Sequence, residues 1–298
     1  MSRFDRLSLL ATFVRTAERG SLTAAARDLG TSQPSVTRQL NELERRLAVQ
    51  LMHRTTHGLA LTEDGRALLA DARAMLAAWD GIEERAAPSE DVSGSIRVVA
   101  PIALGQRHLI EGVLAFQRDH PDVSIVWHLT DRPIRFDEEG CDCWFRVGPV
   151  PDDTLVVRTL GLVERMVVAT PAYANHIGSD LAALPWITLT PYEGERVRLW
   201  DEGGAEHTVE AVSRMATNNI FAQWQAVMDG MGLAVMPRWF IEPELGEGRV
   251  VDMAPTLRAE RLPINIATSS TRARPNRVDL FIEAMSEWVR VNVEMFPA

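Results

Sequence analysis

The chain has 298 residues, 46% of them hydrophobic, which is enough for roughly two domains with cores of their own. No apolar run approaches a membrane span, and the only cysteines, Cys141 and Cys143, are too few and too close for a disulfide framework. The net charge of −10 is uneven: residues 1–61 hold nine Arg and five Asp/Glu, the remainder 22 Arg and 36 Asp/Glu, and Lys is absent. An electropositive head on an acidic body suits a chain of which only one end approaches phosphates.

The first segment, to about Ala87, reads as nearly all helix. Leu7–Val14 follows Arg3 and Arg6 as a signal peptide would, but it is short, lacks a small-residue cleavage site and continues with helical spacing into Arg15, Glu18 and Arg19. A cytoplasmic chain is therefore expected. Phe4, Leu7, Leu10, Phe13, Val14 and Ala17 make one apolar face. Gly20-Ser21 ends that helix and caps a second one over Ala24–Leu29, closed by Gly30. Ser32 caps a third helix with Pro34 in its first turn and a buried stripe of Val36, Leu40, Leu43 and Leu47. Residues 51–61 read as a β-hairpin with Gly58 near its tip. Thr62 then caps a longer helix on which Leu68, Ala72, Met75, Trp79, Ile82 and Ala86 alternate at four and three. That seam is read as pairing with a second subunit, the alternative being packing on its own domain.

Residues 88–94, PSEDVSG, form a turn-rich polar hinge. Beyond it SIRVVA, VSIVWHL, CDCWFRV, TLVVRTL and ERMVVAT read as strands, with helices near 103–118, 219–230 and 275–292. This alternation predicts an α/β domain whose sheet carries helices on both faces.

The segment 21–44, SLTAAARDLGTSQPSVTRQLNELE, has what a helix-turn-helix needs. Small residues at Ala24–Ala26 let two helices cross, Gly30 makes the turn, and the third helix leads with a polar face. Ser32, Gln33, Pro34, Ser35, Thr37 and Arg38 populate that leading end. Gln pairs with adenine and Arg with guanine at base edges, while Ser and Thr serve bases or phosphates. On the hairpin, His53, Arg54, Thr55, Thr56 and His57 would form a wing, with Arg54 as the phosphate contact and Thr55 and Thr56 beside it.

From Phe4 to Gly65 the chain closely resembles the N-terminal domain of LysR-type transcription regulators, in SLTAAARDLG, SQPSVTRQLNELE and LMHRTTHGLALTEDG. His57 departs from the Arg common there. The resemblance extends less tightly to the end, through SGSIRVVAPIALGQRHLIEGVLAFQRDHPDV, EEGCDCWFRVG, LVERMVVATPAYA and TNNIFAQWQAVMDGMGLAVMP. It implies a fold class of α plus α/β: a winged helix-turn-helix (1–61), a dimerising linker helix (62–87), a hinge (88–93) and a two-lobed effector domain like a periplasmic solute-binding protein (94–298). One lobe is expected at 94–162 plus 269–298 and the other at 163–268, joined by two crossing strands. The implied partners are double-stranded promoter DNA with an interrupted inverted repeat, further copies of the chain in a homodimer or homotetramer, a small effector of anionic character, and RNA polymerase. No cofactor, metal or membrane is expected.

Ligands of open α/β sheets sit beyond the carboxyl ends of strands, where helix N-termini offer free amides. That rule singles out Ala100, Pro101, Ile102, Arg146, Gly148, Thr217 and Asn218 as effector contacts. Arg146 is read as the partner of an effector carboxylate, or else of Asp142, Glu138 or Glu139; Asn218 contacts effector or caps a helix. Trp144 either fills the cleft or joins the core, the core being favoured. Cys141 and Cys143 are placed on one face of a strand as buried packing rather than a redox pair. No Gly-rich phosphate loop, metal-ligand spacing or nucleophile elbow supports an enzyme, and the basic head argues against a free-standing solute receptor.

Overall fold

The computed structural model describes residues 5–55, 58–86, 92–178, 180–270 and 274–292. In the head, α1 (Arg6–Arg19) starts at Asp5, whose carboxylate accepts the Ser8 amide, and leaves through Gly20 at φ 59°. Next come α2 (Leu22–Asp28) and α3 (Gln33–Leu47), N-capped by the side chains of Ser21 and Ser32. Ala25 and Ala26 meet Val36 where these two helices cross, all three buried. Leu9, Phe13, Leu40, Leu43 and Leu51 form the main head core. Leu47 lies outside this core at 43% exposed, because Ala48 turns the chain away at φ 56°.

Strands β1 (Met52–Thr55) and β2 (Gly58–Leu61) pair antiparallel. The Leu59 amide donates to the Gly20 carbonyl, and a Cβ on Gly58 would come within 2.9 Å of that oxygen. Gly58 thus lets the hairpin seat on the end of α1. Helix α4 (Glu63–Ala86) begins at Thr62, whose hydroxyl accepts the Gly65 amide. Its apolar seam divides. Ala72 and Leu68 pack into the head core, while Met75, Trp79 and Ile82 stand 55%, 43% and 48% exposed. The Ala86 side chain lies outside the described residues.

The first lobe is built on β3 (Gly94–Ala100), followed by α5 (Ile102–Leu104), a π-helical turn (Gly105–Leu109) and α6 (Ile110–Asp119). Then come β4 (Val123–Leu129), α7 (Phe136–Glu139), β5 (Cys143–Val147) and β6 (Leu155–Val163). The chain returns to this lobe as β15 (Leu262–Ser269) and α10 (Asn276–Val291). Its sheet runs β4-β3-β5-β15-β6, with β3 parallel to both neighbours and β15 antiparallel to both of its own. Residues 262–268, assigned to the second lobe in the sequence reading, pair along β6 from Leu262↔Val163 onward and are part of this sheet.

Strand alternation settles Trp144. Cys143 and Phe145 face α6 and α10, whereas Trp144, 4% exposed, packs on the other face with Val99, Phe136, Cys141 and Ala267. The tryptophan is core. The two cysteines do not share a strand face: β5 starts at Cys143, and Cys141 belongs to the Trp144 cluster.

The second lobe holds β7 (Arg165–Ala169), β8 (Pro185–Leu189), β9 (Arg196–Asp201), β10 (Glu206–Glu210), β11 (Val212–Thr217), α8 (Ile220–Met228), β12 (Ala234–Pro237), α9 (Arg238–Gly246), β13 (Val251–Asp252) and β14 (Leu257–Ala259). β12 lies between β7 and the parallel pair β8–β11, which it meets through a bridge at Trp186 and Leu233. Where the chain crosses between lobes, Arg261 donates to Glu164 at 2.8 Å and ties the two links together. Among the described residues no helix is long and apolar enough to cross a membrane, and no group of three or more His, Cys, Asp or Glu is placed to hold a metal ion.

Candidate functional sites: a recognition helix and an interlobe cleft

Helix α3 turns Val36, Leu40 and Leu43 inward, so its other face is free. Ser32, Gln33, Pro34 and Arg38 are exposed at its leading end, and Ser35 and Thr37 are partly covered. Gln33 and Thr37 are linked by a 3.3 Å bond one turn apart, and Gln39 is held by the Thr12 hydroxyl. Arg38 makes no hydrogen bond or ion pair with the described residues, whereas Arg45 and Arg46 are both engaged by Glu42. Only Arg38 of these three is left to a partner outside the chain. Arg54 and Thr55 lie on β1, but their side chains, and Thr56 and His57 entirely, lie outside the described residues.

The cleft between the lobes contains a cavity of about 70 Å³. Its apolar wall includes Leu104, Val147, Val163, Ile220, Val235 and Leu262, with Trp239 on one side. Of the seven residues expected to touch an effector, Pro101 and Asn218 line it. Ala100 is fully buried in the core of the first lobe. The Ile102 amide already donates to the Asp131 carboxylate at 3.0 Å. Arg146 stacks its guanidinium 5.1 Å over the Trp144 ring and donates to the Pro149 carbonyl, so it neither lines the cavity nor pairs with a described acid. Gly148, at φ 83°, closes a turn whose amide and carbonyl bond to Pro263 and Asn265 on β15. Thr217 gives its carbonyl to Thr190 and its hydroxyl oxygen to the Asn219 amide, and Asn219 rather than Asn218 caps α8.

The polar lining is instead Asp131, Arg165, Thr190, Tyr192 and Glu193. Arg165 and Glu193, with side chains 8% and 5% exposed, form a buried ion pair. Arg165 also donates to the Glu260 carbonyl, and Glu193 accepts the Leu189 amide. Burial pushes the Glu193 carboxyl up to about 7 against the pull of Arg165. Burial likewise raises Asp131, with the Ile102 amide pulling it partly back. The signal for these residues was present: Asp131 lies beyond the carboxyl end of β4, and Thr190–Glu193 beyond that of β8, as Pro101 lies beyond that of β3. Gly105 lets the π turn seat on the first-lobe sheet, since a Cβ there would lie 2.4 Å from Leu129.

A head with a free recognition helix, joined to a two-lobed cleft, has counterparts among known proteins. Residues 7–66 match the bacterial regulatory helix-turn-helix family of lysR type, and residues 89–290 match the LysR substrate binding domain. The chain belongs to the LysR family of transcription regulators. The HTH-type transcriptional regulator PtxR of Pseudomonas aeruginosa is 31% identical over 96% of this chain and 95% of its own length. A full-length single-residue variant of AphB superposes with a TM-score of 0.61 at 25% identity, covering 95% of this chain and 98% of that one. A full-length variant of OxyR from Pseudomonas aeruginosa gives 0.69 over 96% and 97%, where 17% identity speaks for the fold alone.

In this LysR-type regulator the head is joined to the sensing domain by charge. Glu18 on α1 pairs with Arg97 on β3 and Arg73 on α4, and Asp80 on α4 pairs with Arg277 on α10 at 3.0 Å. Arg73 also donates to the Glu139 carbonyl. These groups border a cavity of about 230 Å³. The first lobe thus contacts both α1 and α4 through ion pairs.

Proposed function

We propose that this regulator binds promoter DNA as a symmetric oligomer, placing two copies of α3 in successive major grooves, and that a small molecule in the interlobe cleft tunes that binding. The observation that carries this reading is the division of α4: its first half is locked into the head, while its second half presents Met75, Trp79 and Ile82 to solvent. A second copy covering that stripe fixes two heads at a set separation, as an interrupted inverted repeat requires. Ser32, Gln33, Pro34, Ser35, Thr37 and Arg38 then meet base edges, and Arg54, Thr55 and Thr56 meet the flanking backbone. The regulator acts by binding rather than by catalysis, in the cytoplasm, with RNA polymerase as a further contact at the promoter.

Ligand closure of the cleft changes the angle between the lobes. Through Glu18–Arg97 and Asp80–Arg277 it reorients the paired heads, altering which half-sites they reach and how far the DNA bends. The test is genome-wide capture of DNA bound by the full chain, with sedimentation of the same preparation. Recovered sites are expected to hold paired half-sites around one helical turn apart or a multiple of it, bound by a dimer or tetramer. A strictly monomeric protein without affinity for its own genomic duplexes at low salt would end this reading.

A further inference from the structure

The structure leaves the cleft with acceptors to offer, while its charge-bearing donors are already engaged. Arg165 is matched by Glu193 and the Glu260 carbonyl. The Ile102 amide is engaged by Asp131. The Tyr192 hydroxyl donates to the Val147 carbonyl, and the Thr190 hydroxyl donates to the Thr217 carbonyl. The arginines flanking the cavity are held on rings outside its lining: Arg146 over Trp144, and Arg107 4.4 Å over Phe240. What remains open is the second oxygen of Asp131, the lone pairs of the Tyr192 and Thr190 hydroxyls, the Asn218 amide, and the neutral Trp239 indole N–H, whose nitrogen is buried and without a partner among the described residues. Asp131 has no ion-pair partner among the described residues.

We infer that the cleft takes a small cationic ligand, a protonated amine on a short apolar stem, whose ammonium faces Asp131. This rests on the reading of the cleft as the effector site and replaces the anionic effector that the sequence suggested. An unpaired, partly desolvated carboxylate favours a cation and repels a carboxylate, which would meet only neutral donors here. Asp131 occupies the helix-start amide at which an anion would otherwise dock, so the chain supplies that anion itself. The ammonium has three donors, matching Asp131, Tyr192 and Thr190, while Leu104, Val147, Ile220 and Val235 receive the stem.

The test is methyl NMR of the full chain, following Val147, Leu189 and Ile220, titrated with n-butylamine, 1-butanol and butyrate at pH 7.5. n-Butylamine is expected to shift these methyls with a Kd at least tenfold lower than that of butyrate. Asp131→Asn, which keeps an oxygen for the Ile102 amide, is expected to weaken the amine at least tenfold and leave 1-butanol unchanged. Butyrate binding at the same methyls as tightly as the amine, or an amine preference that survives Asp131→Asn, overturns the inference and leaves the cleft standing as the effector site. Shifts that avoid these methyls for all three probes overturn both. The comparison of amine with carboxylate on the unaltered protein holds whether or not the variant folds.

Discussion

Two arginines show how differently this chain uses the same side chain. Arg38 stands at the exposed end of α3 with no partner among the described residues, on a head whose charge is positive. Arg165 sits beneath the interlobe cleft, buried and paired with Glu193. The first is available to DNA because the chain leaves its charge unbalanced. The second is already held by Glu193 and the Glu260 carbonyl, at the cost of burying charge that only the pairing makes tolerable. A basic residue near a pocket is therefore no sign of an anion site until its own partners are known.

The contrast can be broken most strongly at the buried end. Arg165→Met leaves Glu193 buried without its cation and is expected to destabilise the sensing domain by about 3–5 kcal/mol, read by urea denaturation at pH 8. An unchanged midpoint would show that the pair does not hold the cleft together. On the exposed stripe of α4, Trp79→Asp is expected to weaken self-association by about 2 kcal/mol or more, read by sedimentation across a dilution series. If association is unaffected, α4 is not the seam. Arg38→Ala is expected to weaken specific DNA binding by about 1–3 kcal/mol in competition with mismatched duplexes. A uniform loss over all sequences would make Arg38 a phosphate contact.

The smallest effect is the dependence on pH. Folding raises the Glu193 carboxyl from 4.5 to about 7, so the folded protein holds a proton that the unfolded chain releases earlier. The stability this provides is complete below about 4.5 and is lost as pH rises through about 7. Glu193→Gln is expected to flatten the stability–pH curve over that window. A slope identical to that of the unaltered protein would place the titrating group elsewhere.

The head was readable because its signals are local. Ser21 and Ser32 cap the helices they precede, Ala25 and Ala26 sit where two helices touch, and Gly58 meets the end of α1. The cleft was readable only in part. Pro101 and Asn218, singled out from the ends of strands, line the cavity, and so do Asp131, Tyr192 and Glu193, which also follow strand ends. Arg146 does not line the cavity because a strand turns alternate residues to opposite faces. Val147 lines the cavity, whereas Arg146 stacks on Trp144 beside it.

From the amino-acid order alone came the family, through a resemblance that runs along most of the chain, and the helix-turn-helix with its polar leading end and the alternation of strands and helices, which depend on neighbours a few residues apart. The tertiary structure alone decided which half of α4 is bare, that β15 belongs to the first lobe, and that Asp131 fills the amide site at Ile102. Each of these joins groups far apart along the chain, and whether a charge is free or already matched is a property of such a meeting, not of either residue.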